Sequence, residues 1–190
     1  MYRAGYSSDV AAGDWFVESG AFEYVVIREI MGNYSGTNHF GPYDTITRAQ
    51  VATILWRLAG SPASSVSQPF SDADPNQYYY NALCWAKRIG VSTGYCRTDS
   101  FEPNDPVARE QLATLCDRYA SVVDGRDTSS ECTAMDSKNG ATEVSAYARE
   151  AMGWAVDAGL ITGVNGTDLE PGGTAWRASM AEMVKRYSSF

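Results

Sequence analysis

The 190-residue chain has a single histidine, His39, and four cysteines, Cys84, Cys96, Cys116 and Cys132, none within a Cys-x-x-Cys pair. Zinc sites are built from such pairs and from clustered imidazoles, so no structural metal and no cofactor is expected. Cationic side chains are also scarce, 15 Lys and Arg against 23 Asp and Glu, for a net charge of −8. Phosphate backbones are held chiefly by clustered Lys and Arg, which excludes nucleic acid as the main partner. Uninterrupted apolar stretches are only a few residues long, far short of the roughly 20 that cross a bilayer; the expectation is a soluble chain with no membrane insertion. Residues 1–13, MYRAGYSSDVAAG, lack the basic start and apolar run of a secretory leader. The stretch DADPN (72–76) opens like a calcium loop, but Gln77 and Leu83 stand where that loop needs glycine and glutamate. Hydrolytic chemistry needs a nucleophile, a base and an orienting acid, and GTNHFGP around the lone histidine suggests no such set. The chain is therefore read as a non-enzyme.

What is present is a repeat. FGPYDTITRAQVATILWRL (40–58), FEPNDPVAREQLATLCDRY (101–119) and LEPGGTAWRASMAEMVKRY (169–187) align without a gap. Counted from Arg48, Arg109 and Arg177, apolar or aromatic residues fall at +3, +6, +7 and +10 in every copy. The sets are Val51/Ile54/Leu55/Leu58, Leu112/Leu115/Cys116/Tyr119 and Met180/Met183/Val184/Tyr187, and this spacing puts one stripe on one helical face. Upstream, 21–34, 82–95 and 151–164 also align and predict a first helix in each unit. Tyr24, Trp85 and Trp154 coincide within it as core residues, and Asn33, Gly94 and Gly163 share the place where a left-handed terminator is expected. Of the three tyrosines at 78–80, at least one should be exposed, because three consecutive residues cannot all face inward on a helix. With 44% hydrophobic residues the chain can bury a core, but one helix pair cannot bury its stripe alone. The expected architecture is all-α, one compact domain over 1–190, with three helix-loop-helix pseudo-repeats (9–60, 70–122 and 136–190) packed about a pseudo-threefold axis.

The tandem Phe-x-Pro…Thr-Arg-Ala pattern resembles the S-layer homology domain over nearly the whole chain, with DVAAGDWF (9–16), FSDADPNQYYYNALCWA (70–86) and VSAYAREAMGWAVDAGLITG (144–163) as the approaches to its repeats. The resemblance implies a three-pronged helical spindle, a pseudo-trimeric monomer at the bacterial cell surface and a fragment of a longer exported protein. Its partner would be secondary cell-wall polysaccharide, of which pyruvylated amino sugars are the family's usual ligand. The family's Thr-Arg-Ala-Glu motif is met at Thr47, Arg48, Ala49 and Gln50 except in the last place. Copy two reads Ala108, Arg109, Glu110, Gln111 and copy three Trp176, Arg177, Ala178, Ser179, so copy one is the fullest match.

Thr47 as N-cap and Gln50 three residues on predict a capping box. An arginine at the first helical position is then mildly unfavourable, because the helix N-terminus already carries about half a positive charge. Capture of an anion would explain it: helix N–H groups, the dipole and a forked guanidinium converge on one point and suit a carboxylate such as a pyruvate ketal. Trp15, Tyr34, Tyr95 and Trp176 are the expected stacking faces for sugar. The alternative role for Arg48, Arg109 and Arg177 is pairing with Asp9, Asp72 and Asp136 to tie repeats together, and both roles can hold at once. The alternative function is a protein–protein assembly module whose glycan grooves have degenerated. Two disulfides or four buried thiols both fit the cysteines. Cys84 and Cys96 occur together in one copy only, which points to a Cys84–Cys96 bridge and leaves Cys116 with Cys132, although Cys116 also fills a stripe position suited to a core thiol.

Overall fold

The computed structural model describes residues 6–95 and 98–189. Along the described chain run α1 (Trp15–Glu18), α2 (Ala21–Ile27), α3 (Arg48–Leu58), α4 (Tyr80–Ile89), α5 (Arg109–Asp124), α6 (Thr133–Asp136), α7 (Arg149–Asp157) and α8 (Arg177–Tyr187), with two 3₁₀ turns at Ala141–Glu143 and Ala146–Ala148. Strand-like pairing among the described residues is confined to isolated bridges. The molecule is all-α.

The three stripes meet. Leu55, Leu58, Cys116, Tyr119, Met180, Met183, Val184 and Tyr187 line one gap of only about 10 Å³, so α3, α5 and α8 converge on a common axis. Tyr119 and Tyr187 meet there edge to face, centroids 5.6 Å apart.

Closure about this axis is cyclic. The first helix of each repeat lies against the second helix of the repeat before it: α4 on α3, α7 on α5, and α2 on α8. The segments just ahead of α3, α5 and α8 also link in a triangle of backbone hydrogen bonds. Ile46 N–H donates to Ala175 O (3.0 Å), Ala175 N–H to Val107 O (2.9 Å) and Val107 N–H to Ile46 O (3.0 Å). All three residues are buried, and each bond there satisfies two groups that water cannot reach.

The first helices are shorter than the aligned segments predict. They stop at Ile27, Ile89 and Asp157, and the left-handed residues that follow are Glu29 (φ 55°), Gly90 (φ 84°) and Gly159 (φ 68°). Gly94 and Gly163 do have positive φ, but they shape the next loop. Asn33 instead works through its side chain, donating to Tyr6 O at 2.8 Å and accepting from the Ser7 hydroxyl. Trp85 and Trp154 are buried and Tyr24 is half-buried against the core. Of the three tyrosines, Tyr78 is exposed, Tyr80 half-buried and Tyr79 buried.

The cysteines need a correction. Cys84, Cys116 and Cys132 carry free, buried thiols, so Cys116 is not bridged to Cys132. Cys116 points along the α5 stripe into the axial core, whereas the Cys132 sulfur lies beside α7, within reach of Arg149 O (3.5 Å). The expected partner of Cys84, Cys96, lies outside the described residues.

Candidate functional site

Each second helix starts at its motif arginine. Thr47 and Gln50 form the expected reciprocal cap, Gln50 N–H donating to the Thr47 hydroxyl (3.3 Å) and Thr47 N–H to Gln50 Oε1 (3.2 Å). Copy two keeps half of it, Ala108 N–H to Gln111 Oε1 at 3.0 Å. No cap side chain bonds α8, where Trp176 stands at the N-cap.

The arginines reach across to the next repeat. Arg48 Nε donates to Phe101 O, Arg109 Nε to Leu169 O and Arg177 Nε to Phe40 O, each at 2.7 Å. Their backbone N–H groups go to Asp105, Gly173 and Asp44 carbonyls of the same three loops. The helix N-terminal donors that an anion would have met are therefore partly occupied by carbonyls. Arg48 and Arg177 are each 6% exposed. The Arg48 guanidinium lies 4.3 Å over the Tyr95 ring and that of Arg177 4.5 Å over Tyr34. Burial lowers all three guanidinium pKa values, opposed at Arg48 by Tyr95 and Asp105, at Arg177 by Tyr34 and Asp44, and at Arg109 by Glu170.

The aspartates hold the loops, not the arginines. Asp9 accepts from Phe40 N–H (2.8 Å) and Gly41 N–H (2.7 Å), and Asp72 from Phe101 N–H (2.8 Å) and Glu102 N–H (2.7 Å). Each clamps the carbonyl-bearing turn onto which an arginine docks. Asp136 departs from the pattern. It pairs with Arg149 at the surface, and the Leu169 N–H goes to the Asn139 carbonyl at 3.0 Å instead. The third repeat approaches its loop through the extra α6 turn, which moves the expected aspartate away.

Two clefts occupy equivalent places between repeats. One, about 410 Å³, is lined by Tyr34, Gln50, Thr53, Arg57, Tyr78 and Arg177 together with residues 30–33. The other, about 450 Å³, presents Asn165, Ser179, Glu182, Arg186, Trp15 and Arg109, with Trp176 and Glu170 beside them. The gapless alignment superposes Gln50 on Ser179, Thr53 on Glu182 and Arg57 on Arg186, and registering Asp9 on Asp72, two residues out of that frame, places Tyr78 on Trp15. A motif therefore does not act as a unit: Gln50 shares a cleft with Arg177 of the third repeat, while Arg48 of its own repeat is stacked on Tyr95 of the second.

The two clefts differ in charge. In the first, Arg177 and Arg57 stand with no carboxylate among the described lining residues. Asp44 lies behind the wall, accepting from Tyr34 Oη at 3.0 Å. In the second, Glu182 replaces Thr53 and pairs with Arg186 at 2.8 Å, and Glu170 faces Arg109. Copy three also has Val164 and Gly173 where copies one and two have Tyr34/Asp44 and Tyr95/Asp105, so Arg109 has lost its tyrosine-carboxylate support. Burial raises the pKa of Tyr34 and of Tyr78, with Arg177 opposing at Tyr34, so both wall tyrosines stay protonated hydroxyls at neutral pH.

Arg57, Arg186 and Tyr78 were not among the residues expected from sequence. The signal existed: an arginine follows the motif arginine by nine positions in every copy, at 57, 118 and 186, off the apolar stripe. Among the described residues no group of three His, Cys, Asp or Glu side chains could hold a metal, and no described helix is long and apolar enough to cross a membrane.

Residues 8–52 and 69–113 match the family model of the S-layer homology domain. The chain is 27% identical over 180 residues to an endoglucanase of Bacillus sp. (strain KSM-635), covering 93% of this chain and 18% of that protein. It is 25% identical over 187 residues to the S-layer protein of Bacillus thuringiensis subsp. finitimus, covering 94% and 21%, and 25% identical over 187 residues to the S-layer protein sap of Bacillus anthracis, covering 94% and 20%. The chain thus spans about a fifth of the length of these relatives. Proteins of unlike names share similarity to this stretch.

Proposed function

We propose that residues 1–190 form one three-repeat S-layer homology domain, with repeats at 9–60, 70–122 and 136–190, that anchors whatever is joined to it at a bacterial cell surface by binding an acidic cell-wall polysaccharide without covalent attachment. Matches to the family model in two repeats, and alignments with S-layer proteins that run on through most of the third, support the anchoring role. The sharing of the same stretch between an endoglucanase and S-layer proteins fits a module whose task is attachment rather than catalysis.

The observation that carries the ligand class is the cleft of Arg177 and Arg57. Two guanidinium groups, a tyrosine 60% exposed (Tyr78), and the amide and hydroxyl of Gln50 and Thr53 line a concavity without a lining carboxylate. Such a wall suits a sugar bearing a carboxylate: Arg177 spends Nε and Nη2 on the Phe40 and Gly32 carbonyls, which leaves its Nη1 together with the Arg57 guanidinium to meet the anion, and the aromatic face covers the pyranose C–H face at small entropic cost. A pyruvate ketal on an amino sugar is the specific ligand proposed. Arg48 repeats the arginine, tyrosine and carboxylate set with Tyr95 and Asp105, whereas Arg109 does not.

Arg57→Gln and Tyr78→Ala test the reading, because neither side chain ties repeats together by a charge-assisted bond. Each should weaken cosedimentation with purified, polysaccharide-bearing cell walls by about tenfold or more, equivalent to about 1.4 kcal/mol, with an unchanged melting temperature. Wall binding unaltered in the double variant would remove this cleft from the mechanism.

A further inference from the structure

We propose that the cleft between Trp15 and Trp176 is a second carbohydrate site of a different class, one that takes an uncharged pyranose unit; the idea rests on the glycan-anchoring reading above. Two observations carry it. Charge comes first. The cleft contains two cations and two anions: Arg186 Nε is 2.8 Å from Glu182 Oε1, and Glu170 lines the same wall and acts electrostatically on Arg109. Glu182 is 8% exposed and also accepts from the Ser19 hydroxyl, so it is fixed in place. A carboxylate ligand entering here would face two carboxylates and would have to separate a half-buried, hydrogen-bonded pair before it gained an arginine.

The second observation is the aromatic wall. Trp15 is 43% and Trp176 47% exposed, both lining the same cleft of about 450 Å³. Their positions are fixed by a chain of edge-to-face contacts, Trp15 to Phe16 (5.5 Å), Phe16 to Tyr43 (6.2 Å) and Tyr43 to Trp176 (5.9 Å). Rigid indoles left half bare by the fold, above a floor containing Leu160, Ile161 and Met183, match the C–H face of a pyranose, and their immobility keeps the ordering cost of stacking low. Asn165, Ser179 and Thr162 at the same wall supply the uncharged donors and acceptors that ring hydroxyls need. The volume lies within the roughly 300–1,000 Å³ of small-molecule sites. The pseudo-symmetric cleft at Arg177 is its internal control: the same place in the fold, with Thr53 for Glu182 and Tyr78 for Trp15.

The test is calorimetric titration of the whole chain with two kinds of probe. One is neutral: cellotetraose, maltotetraose and chitotetraose in turn. The other is a pyruvate-ketal N-acetylhexosamine disaccharide. At least one neutral probe should bind with one-to-one stoichiometry, with affinity unchanged between 50 and 500 mM salt. Trp15→Ala should weaken that binding at least tenfold and leave the acidic probe's affinity unaltered. Glu182→Gln, which frees Arg186, should add a further equivalent of the acidic probe. Absence of binding by all three neutral probes, or neutral binding indifferent to Trp15→Ala, overturns the proposal. If the acidic probe instead fails to bind the unmodified chain while a neutral one binds at Trp15, the acidic reading of the other clefts falls and this one stands.

Discussion

At the residue scale, the motif arginines resolve a conflict between local and long-range physics. A cation at the first helical position opposes the helix dipole at a cost of a few tenths of a kcal/mol. The fold repays it with a short charge-assisted bond to the next repeat's carbonyl and, for Arg48 and Arg177, a tyrosine face. The arginines are therefore ties between repeats first, and ligand groups through the edge they turn to a cleft. Glu110 is the other telling residue. It replaces the alanine of the other two copies and is buried, yet it accepts from Ser145 N–H (2.9 Å), Ser145 Oγ (2.7 Å) and Tyr147 Oη (3.0 Å). It pins the irregular approach to the third repeat onto the start of α5. Glu110→Ala leaves three donors without their acceptor, and should lower the unfolding free energy by about 2–3 kcal/mol in urea titration. A loss below about 0.5 kcal/mol would mean that these bonds exchange freely with water.

At the element scale, the loop between the two helices of each repeat is the part that positions the clefts, and one glycine controls it in the second repeat. Gly94 has φ +76°, and a Cβ there would lie 2.7 Å from Ser100 O and 2.9 Å from Phe70 Cε1. Gly94→Ala should cost about 2 kcal/mol or more, through left-handed strain plus the clash with backbone, measured by denaturant unfolding. The same substitution at Gly13, where nothing lies within 4 Å, should change little. Helices and their buried faces were legible in the sequence, since the +3, +6, +7, +10 stripe and the Thr47–Gln50 cap are local signals, and both occur as expected. The partner of each element was not. Nothing local says that α2 closes on α8, or that Gln50 shares a cleft with Arg177 and not with Arg48; those contacts join residues more than a hundred positions apart. The sequence singles out Asp136 only by its place near a repeat start, and α6 lengthens the third approach and leaves it at the surface beside Arg149. The cysteine pairing rested on presence and absence alone, with no geometry to place Cys116 in the axial core and Cys132 against α7.

At the scale of the whole molecule, the account is of a ring of three prongs, each made from two repeats, with clefts where they meet. The burial that closes the ring also sets its response to alkali. Burial pushes the Cys116 thiol from its ordinary 9.0 up to about 12, and burial with the Glu110 bond raises Tyr147 from 10.0 to about 12. In the unfolded chain both groups ionise at their ordinary values, so the unfolded state binds fewer protons between pH 9 and 12. Their contribution to stability is complete below about pH 9 and is lost as pH climbs toward 12. Unfolding midpoints should fall progressively over that window. Cys116 should resist iodoacetamide at pH 8 until urea unfolds the chain, because the thiolate is the reacting species; fast labelling of the native protein at Cys116 would contradict the packing of α5. The central claim concerns the clefts, and its most direct measurement is a titration of the whole chain with a pyruvate-ketal N-acetylhexosamine disaccharide alongside the same disaccharide without the ketal. The account predicts that the ketal raises affinity at least tenfold and that Arg57→Gln removes most of that advantage. Equal affinity for the two sugars, or an advantage untouched by the substitution, would contradict it.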